Sequence, residues 1–381
     1  MITFDRALIF HRVLMRIGLS AIVFAWLFVF ANEALLSRSA SDALVQVALL
    51  YALAQTTCAL VVPIAMREIG FGMRRGIVLG ALVVCLAFIV LAGASVGMFI
   101  GGLGASMTVF AVLIGLYSAL YKIPYATGAS VARVNSSRMA VEMLLALMPA
   151  LWVLAGMLDA DYAFVIIFSS AAILIMVGIV PLLFVGIDVY ERFSWGYRET
   201  YAQLFIHDNR DLIRKSIVRG VDDVALLFFW PLATFLFLGW SYVVVGVVLA
   251  SSLVGVFLVR YLLEKMRVDS RLVRDTVVAS GWLARILAVT PYGFVVADVY
   301  ARSVVPYNHD THLADAGHYI DEYTALKEIA SAIGRIGVTL FAAILFASLS
   351  FDIAFVILFA VVGLIAIGST FGGHHESLRK V

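Results

Sequence analysis

The sequence DVYERFSWGYRETYAQLFIHDNRDLIRKSIVR, from Asp188 to Arg219, is the longest polar interval in a chain dominated by apolar runs. Apolar runs fill the chain on both sides of it, over residues 15–187 and 224–367. A polar segment between two apolar stretches of similar length suggests one membrane module used twice. The interval would then be the joint between the two copies.

The composition excludes an ordinary soluble protein. Of the 381 residues, 63% are hydrophobic and 14% are charged, whereas a soluble domain has about 25% charged residues. Apolar stretches of about 18 residues or more recur along the chain, as in helices that cross a bilayer roughly 30 Å thick. We therefore predict an all-α integral membrane protein, with the lipid bilayer as its solvent.

The apolar runs predict twelve spanning helices. Before the polar interval they lie at 14–36, 42–66, 74–93, 98–121, 138–157 and 161–186. After it they lie at 219–238, 241–263, 271–288, 290–306, 324–348 and 351–370. The ninth and tenth of these predicted spans are interrupted by charged residues.

Basic residues alternate between the two sides of this arrangement. With the N-terminus inside, the inside segments hold nearly all the arginines and lysines, and the outside loops hold only Arg38. Short basic loops resist translocation, so such a bias orients the chain. It predicts twelve spans in the plasma membrane with both termini in the cytoplasm.

Three short matches recur in the same order in the two halves. They are Met66-Arg67 with Met266-Arg267, Pro124-Tyr125 with Pro306-Tyr307, and AVEMLLAL from Ala140 with ALKEIASAI from Ala325. Ordered internal matches are typical of duplicated units. We predict two pseudo-symmetric six-helix bundles, 1–187 and 219–381, joined by an amphipathic cytoplasmic linker at 188–218.

Twelve spans, the division into six and six, and the basic loops 2–3 and 8–9 resemble the major facilitator superfamily over essentially the whole chain. The most specific residues are EIGFGMRRG, from Glu68 to Gly76, in which Gly72, Arg74 and Arg75 match the end of the family's loop 2–3 motif. The resemblance implies a conformational latch at Arg74 and Arg75, with Arg274 as their counterpart in the second half.

The resemblance also implies roles for whole helices. Predicted spans 1, 4, 7 and 10 would line a central cavity that opens alternately to each side of the membrane. Predicted spans 2, 5, 8 and 11 would form its lateral walls, and 3, 6, 9 and 12 would face lipid.

Ionisable residues inside spans are costly, and each is a functional hypothesis with a named partner. Asp298 lies near the middle of the tenth predicted span, and Arg302 follows at i+4 on the same face. Either Asp298 is a substrate- or proton-linked carboxylate that leaves Arg302 during the cycle, or the two form a self-neutralised pair that never changes.

Two adjacent acids, Asp222 and Asp223, open the seventh predicted span. Neighbouring helical residues point about 100° apart, so only one of the two is expected to face the cavity. A carboxylate near the N-terminal end of a helix is also stabilised by the helix dipole, which is a sufficient structural explanation.

Two arginines lie within predicted spans. Arg335 can bind an anionic group of the substrate, or it can be the structural partner of Asp298 or Glu328. Arg285 lies close enough to the outer end of the ninth predicted span to extend its charge into the lipid headgroups, which is the role we predict for it.

Polar and aromatic side chains supply further candidates for the cavity. Tyr117 in the fourth predicted span, with Trp26 and Asn32 in the first, suit amphipathic or sugar-like solutes. Such rings are also common anchors at the membrane surface, and Tyr121 beside Lys122 is predicted to be one.

The remaining motifs favour no cofactor. The stretch from His309 to His318 has imidazole and carboxylate groups at intervals of three, but a solvated loop explains it better than a metal site. Cys58 and Cys85 both lie in apolar runs, where buried side chains are expected. Nothing predicts a nucleotide site, catalytic residues or a nucleic-acid partner.

These observations predict a secondary active transporter rather than an enzyme. It would move a small solute by alternating access, with protons as the coupling ion through Asp298 or one acid of the Asp222–Asp223 pair. Two alternatives stay open: a membrane enzyme or lipid flippase or scramblase on the same scaffold, using the His309–His318 loop, and a non-transporting receptor or scaffold. The solute, the direction of transport and the oligomeric state are left open.

Overall fold

The computed structural model describes residues 4–69, 73–98, 102–131, 160–185, 193–265, 271–303 and 320–377. Within these ranges every regular element is helical and no strand occurs. The predicted fifth span, 138–157, lies outside the described residues, as do 304–319 with the His309–His318 loop.

In the described ranges, six helices precede the linker. They are α1 (Phe4–Leu19), α2 (Ala21–Leu36), α3 (Ala40–Ile69), α4 (Met73–Ser95), α5 (Gly102–Val131) and α6 (Ala160–Leu183). The first helix begins at Phe4 rather than at the predicted residue 14. Leu8, His11 and Met15 recur at helical spacing and are buried, and α1 packs against α6. The basic residues in this segment therefore do not prevent it from being helical.

The remaining elements begin in the linker. They are α7 (Tyr197–Ala202), two 3₁₀ turns (Gln203–Phe205 and His207–Asn209), α8 (Arg210–Val224), a π-helical turn (Ala225–Phe229), α9 (Trp230–Phe237), α10 (Tyr242–Lys265), α11 (Arg271–Ile286), α12 (Pro291–Ser303), α13 (Ile320–Ser348) and α14 (Phe351–Ser377). The run from α8 to α9 begins at Arg210, whereas the sequence predicted a start at 219. Charged residues lower the hydropathy of residues 210–218 without weakening their helix propensity.

Nine helical segments in the described ranges are long and apolar enough to cross a membrane. They are Arg6–Leu36, Ala40–Arg67, Met73–Ser95, Gly102–Ala126, Tyr162–Leu183, His207–Phe237, Tyr242–Leu263, Glu322–Ser348 and Phe351–Gly368. The predicted ninth and tenth spans correspond to α11 and α12, with 16 and 13 residues, fewer than the roughly 20 that cross a bilayer. The chain is thus an all-α, multi-pass membrane protein.

Helix α13 lies at the centre of the packing. It contacts α3 and α5 from before the linker and α8 and α14 from after it. Glycines bring α8 and α13 especially close, because a Cβ built on Gly220 would collide with the Ser331 carbonyl oxygen. One built on Gly334 would collide with that of Ile217. Small residues at such contacts let helix backbones approach closely in membranes.

The linker covers one end of the bundle, which we call the linker end. The Tyr201 hydroxyl donates to the Ala59 carbonyl of α3 at 2.7 Å, and burial raises the pKa of Tyr201, which keeps the phenol a donor. The Ser194 amide and hydroxyl both donate to Glu322 Oε1 of α13, at 3.0 and 2.6 Å. Cys58 is fully buried in the apolar cluster beneath. The linker thus joins α3 to α13.

Aromatic rings join the helices at the opposite end, which we call the far end. Phe30 of α2 lies 5.3 Å from the ring of Trp240 and 6.2 Å from that of Phe235. Phe164 of α6 meets Tyr242 of α10 at 4.9 Å. Helices from before and after the linker are therefore in contact at both ends of the molecule.

Candidate functional site

Charged side chains meet inside the helix bundle where α13 packs against α3, α5 and α8. Five residues form what we call the central network: Gln55, Lys122, Asp223, Glu328 and Arg335. Ionisable groups in spanning helices are rare and mark functional sites unless they have a purely structural partner. The central network is therefore the leading candidate site.

Arg335 is the hub of the central network, and it is 7% exposed. Its Nη1 donates to Gln55 Oε1 at 3.2 Å and to Glu328 Oε1 at 3.0 Å. Its Nη2 donates to Asp223 Oδ2 at 3.2 Å. The planar guanidinium can serve several acceptors at fixed angles, so one side chain of α13 connects α3 with α8.

Glu328 is the second residue of the central network that binds more than one side chain. Lys122 Nζ of α5 donates to Glu328 Oε1 at 2.6 Å, so the same oxygen accepts from both Lys122 and Arg335. The thiol of Cys58 lies 3.9 Å from this oxygen. The carboxylate thus links α5 to α13.

The formal charge of the central network sums to zero. It contains two cations, Lys122 and Arg335, and two anions, Asp223 and Glu328. A charge buried away from water is tolerated when it is paired and becomes costly when its partner leaves. A ligand that adds or displaces a charge here must therefore be balanced by a proton or a counter-ion.

Aromatic rings border the central network. Four residues form what we call the aromatic cluster: Trp26, Tyr51, Phe110 and Phe228. Tyr51 stacks on Phe228 with centroids 4.3 Å apart, and it lies one helical turn before Gln55 on α3. Tyr51 is also within electrostatic range of Arg335 and Asp223. Charged and aromatic groups from α2, α3, α5, α8 and α13 therefore adjoin.

Asp222 and Asp223 point to different partners, as their angular separation predicted. Asp223 binds Arg335 in the central network, whereas Asp222 Oδ1 accepts from Trp282 Nε1 of α11 at 2.9 Å. Only Asp223 belongs to the network that joins α13 to α3 and α5.

A second group of charges lies between α11 and α12, and we call it the α11–α12 cluster. Arg302 Nε lies 2.9 Å from Asp298 Oδ1, which agrees with the predicted i+4 pair. Arg285 Nη2 donates to the same oxygen at 3.2 Å. Asp298 Oδ2 is buried and has no hydrogen-bond partner among the described residues. The Asp298 carboxylate is thus the shared ion-pair partner of two arginines.

The prediction that Arg285 extends into the headgroups is wrong. Arg285 is 4% exposed, and its guanidinium lies 4.5 Å from the ring centroid of Trp282 and 5.5 Å from that of Trp230. Aromatic faces and the Asp298 carboxylate stabilise a cation that has left water. Arg335, in turn, contacts Glu328, as one alternative predicted, and its other ion-pair partner in the described residues is Asp223 rather than Asp298.

The other predicted cavity residues do not meet at one site. Trp26 belongs to the aromatic cluster, and Tyr117 is buried within electrostatic range of Glu328. Asn32 Nδ2 donates to the Phe28 carbonyl at 2.8 Å, which is a local bond within α2.

Tyr121 is not a membrane-surface anchor, contrary to prediction. It is 6% exposed, and its hydroxyl lies 3.0 Å from His11 Nε2. His11 Nδ1 is 3.0 Å from the Gly178 carbonyl and must donate to it, so Nε2 of a neutral ring accepts from Tyr121. This buried histidine joins α1, α5 and α6.

Sequence reasoning missed three of these residues for different reasons. Gln55 is the one amide in the apolar α3 run between Tyr51 and Val62, and that isolation was the available signal. Lys122 and His11 lie just outside the predicted spans 98–121 and 14–36, where a polar residue is ordinarily solvated.

The predicted latch residues are only partly described. The Arg74 guanidinium donates to the Val185 carbonyl, two residues after the end of α6, at 2.6 Å, and Arg75 is exposed. Arg274 lies on α11, but its side chain is outside the described part of the chain. A metal site finds no support in the described ranges, which contain no suitable group of three His, Cys, Asp or Glu.

Comparison with known proteins identifies the fold. No protein-family model and no curated protein sequence matches the chain. Among solved structures, the D-xylose-proton symporter superposes with a TM-score of 0.66 at 12% identity, over 95% of this chain and 97% of that one.

Peptide transporters superpose nearly as well. A structure from a study of proton-dependent oligopeptide transporters has a TM-score of 0.63 at 13% identity, over 97% of this chain and 96% of that one. A bacterial homologue of the human drug peptide transporters PepT1 and PepT2 has a TM-score of 0.62 at 13% identity, over the full length of both chains. The chain therefore has the fold of these transporters, as its resemblance to the major facilitator superfamily predicted.

Proposed function

We propose that this protein is a proton-coupled secondary transporter that moves a small solute by alternating access. The observation that carries the proposal is the central network. It ties α5 and α8 to α13 by partly buried ion pairs and α3 to α13 by the Arg335–Gln55 hydrogen bond. The chain also has the fold of a xylose-proton symporter and of proton-dependent peptide transporters.

In this proposal the chain crosses the plasma membrane twelve times as two six-helix halves, with the linker and both termini in the cytoplasm. Repeated glycine contacts support the duplication. A Cβ on Gly80 of α4 would crowd Tyr121 of α5, and one on Gly281 of α11 would crowd Ala301 of α12. The members of the second pair lie about 200 and 180 residues after those of the first, close to the offsets of the sequence matches.

The contacts at both ends fit a state in which neither side is open. Opening the linker end requires the Tyr201 and Ser194 contacts to break, whereas opening the far end requires Phe30 to leave Trp240. The central network lies between the two, where rearranged ion pairs can favour one opening over the other.

Proton coupling follows from the balance of charge. Each carboxylate of the central network is held by a cation, so a conformation that separates them leaves a buried charge without a partner. Protonation removes that penalty. Asp223, whose side chain is 35% exposed, is the acid of the central network best placed to exchange a proton with water, as one alternative from the sequence suggested.

Reconstituted vesicles test this function. A thermal-shift screen of the purified protein first identifies solutes that stabilise it, since a ligand that binds the folded state raises the unfolding midpoint. We expect such a solute, added outside vesicles containing a pH-sensitive dye, to acidify the lumen. Glu328→Gln should abolish the signal, and Glu199→Gln, an exposed glutamate of α7, should preserve it.

The outcomes separate the alternatives. Solute flux without proton movement would remove the coupling and keep a transporter. No flux for any stabilising solute would favour a receptor or scaffold instead. Lipid translocation or product formation without solute flux would favour a scramblase or an enzyme.

A further inference from the structure

The chemistry of the central network narrows the class of solute. We propose that the solute is an organic carboxylate with an apolar or aromatic body, which binds Arg335 in place of Asp223 and enters with one proton held by Asp223. This inference rests on the proposed function and assigns a substrate class and a proton site to the same network.

Arg335 is the anchor for the carboxylate. It is buried, and its Nη1 and Nη2 groups bind oxygen atoms of two different side chains, Glu328 and Asp223, rather than one bidentate partner. A solute carboxylate can take the guanidinium fork with two parallel hydrogen bonds, the strongest geometry for this pair. The exchange replaces hydrogen bonds to two separate side chains by two parallel hydrogen bonds to one carboxylate.

Asp223 is the carboxylate that the solute displaces. Glu328 keeps Lys122 at 2.6 Å when Arg335 turns away, whereas the charge partner of Asp223 is Arg335. Among the described residues, the charged and titratable groups that face Asp223 are Arg335 from α13, Tyr51 from α3 and its own neighbour Asp222. Without Arg335, these described neighbours include no cation, so a proton from solution is needed to neutralise the Asp223 carboxylate.

The charges then balance without any further group. The solute brings one negative charge, and one proton from solution binds the displaced carboxylate, so the central network stays neutral. No bond in the solute forms or breaks. Carboxylate and proton move together, and each transport step carries no net charge.

The aromatic cluster supplies the surface for the body of the solute. Tyr51 contacts both Trp26 and Phe228, interacts electrostatically with Arg335, and shares one face of α3 with Gln55. A sugar needs many neutral hydrogen-bonding partners, and the central network and the aromatic cluster together contain three, Gln55, Tyr51 and Trp26. An organic cation on these rings would meet the Arg335 guanidinium as well as Asp223, so it gains no net attraction from this neutral network.

Calorimetric titration of the purified full-length protein tests the proposal. The probes are acetate, hexanoate, benzoate and 3-phenylpropionate, each compared with the alcohol and the amine of the same skeleton. We expect at least one carboxylate with an apolar body to bind at least tenfold more tightly than its alcohol and its amine. Between pH 7.5 and 5.5 the probes stay mainly ionised, since carboxyl groups such as that of glutamate titrate near pH 4.3. Their affinity should rise as the pH falls, by up to about tenfold per pH unit for one bound proton.

Two substitutions test the roles proposed for Arg335 and Asp223. Arg335→Lys should weaken carboxylate binding at least tenfold, because an ammonium cannot form the bidentate pair. Asp223→Asn, which imitates the protonated acid, should bind the carboxylate tightly at pH 7.5 and lose the pH dependence. Arg210→Gln, an exposed arginine of α8, should behave as the wild type. Should Arg335→Lys fail to fold, the Asp223→Asn titration still decides the question.

Three results would overturn the inference: alcohols or amines that bind as tightly as carboxylates, no carboxylate binding below 10 mM (roughly −2.7 kcal/mol), or an unchanged pH dependence in Asp223→Asn. The proposed function fails separately, when no stabilising solute moves protons into vesicles. A neutral solute that drives proton uptake would therefore overturn the substrate class and leave the transporter standing.

Discussion

At the scale of single residues, two buried arginines with similar sequence contexts have different surroundings. Arg335 binds side chains of α3, α8 and its own helix. Arg285 binds Asp298 of the adjacent helix α12 and stacks on Trp282. The position of an arginine within an apolar run does not distinguish these cases, because the distinction depends on which face of the helix meets which neighbour.

We expect Asp298 to be a structural residue. Asp298→Asn leaves Arg285 and Arg302 without their carboxylate, and removing one partner of a buried ion pair costs about 3–5 kcal/mol. The thermal unfolding midpoint of the purified variant should fall clearly. Replacing Arg285 and Asp298 together by leucine should restore part of the loss, since Arg302 is partly exposed and can reach solvent.

The opposite pattern would give Asp298 the role of proton carrier. In that case Asp298→Asn would unfold at the wild-type temperature and lose solute-driven acidification of vesicles. The same two measurements therefore decide between the two readings of this residue that the sequence left open.

At the scale of elements, two matched glycine substitutions test the close approach of α8 and α13. Gly334→Ala inserts a methyl group against the Ile217 carbonyl, whereas Gly337→Ala, on the same helix, meets open space. Overpacking costs about 1–3 kcal/mol, while alanine stabilises an open helical site by about 0.5–1 kcal/mol relative to glycine. We expect thermal unfolding midpoints to move in opposite directions for the two variants. Equal shifts would mean that α8 and α13 are not in backbone contact.

The linker is the second element with a measurable role. Cys58 is fully buried beneath it and Cys85 is 3% exposed, so the rate of maleimide labelling at Cys58 reports opening of the linker end. Tyr201→Phe removes the hydrogen bond to the Ala59 carbonyl, worth about 1 kcal/mol, and should speed labelling of Cys58 roughly fivefold. Labelling at Cys85 should not change, and neither should labelling in Tyr292→Phe, an exposed tyrosine far from the linker. Equal acceleration at both cysteines would indicate general unfolding instead.

At the scale of the whole molecule, much of the fold was accessible from sequence and the site was not. Long apolar runs can only be satisfied by spanning helices, so α2 to α6 and α9 to α14 lie close to where hydropathy predicted them. Hydropathy says nothing about rotation around a helix axis, so the partners of Arg335, Gln55 and Lys122 could not be derived. The starts at Phe4 and Arg210 were missed because charged turns extend a helix without adding apolar residues.

In the proposed transport cycle the two ends of the molecule open in turn around the central network. Electron-paramagnetic distance measurements test it on protein with both cysteines replaced by alanine. One spin-label pair, Ser39 with Ser350, reports on the far end, and another, Arg67 with Lys265, on the linker end; all four positions are exposed. On addition of a solute that drives proton uptake, we expect one distance to lengthen and the other to shorten. Distances that stay fixed, or that lengthen together at both ends, would contradict alternating access.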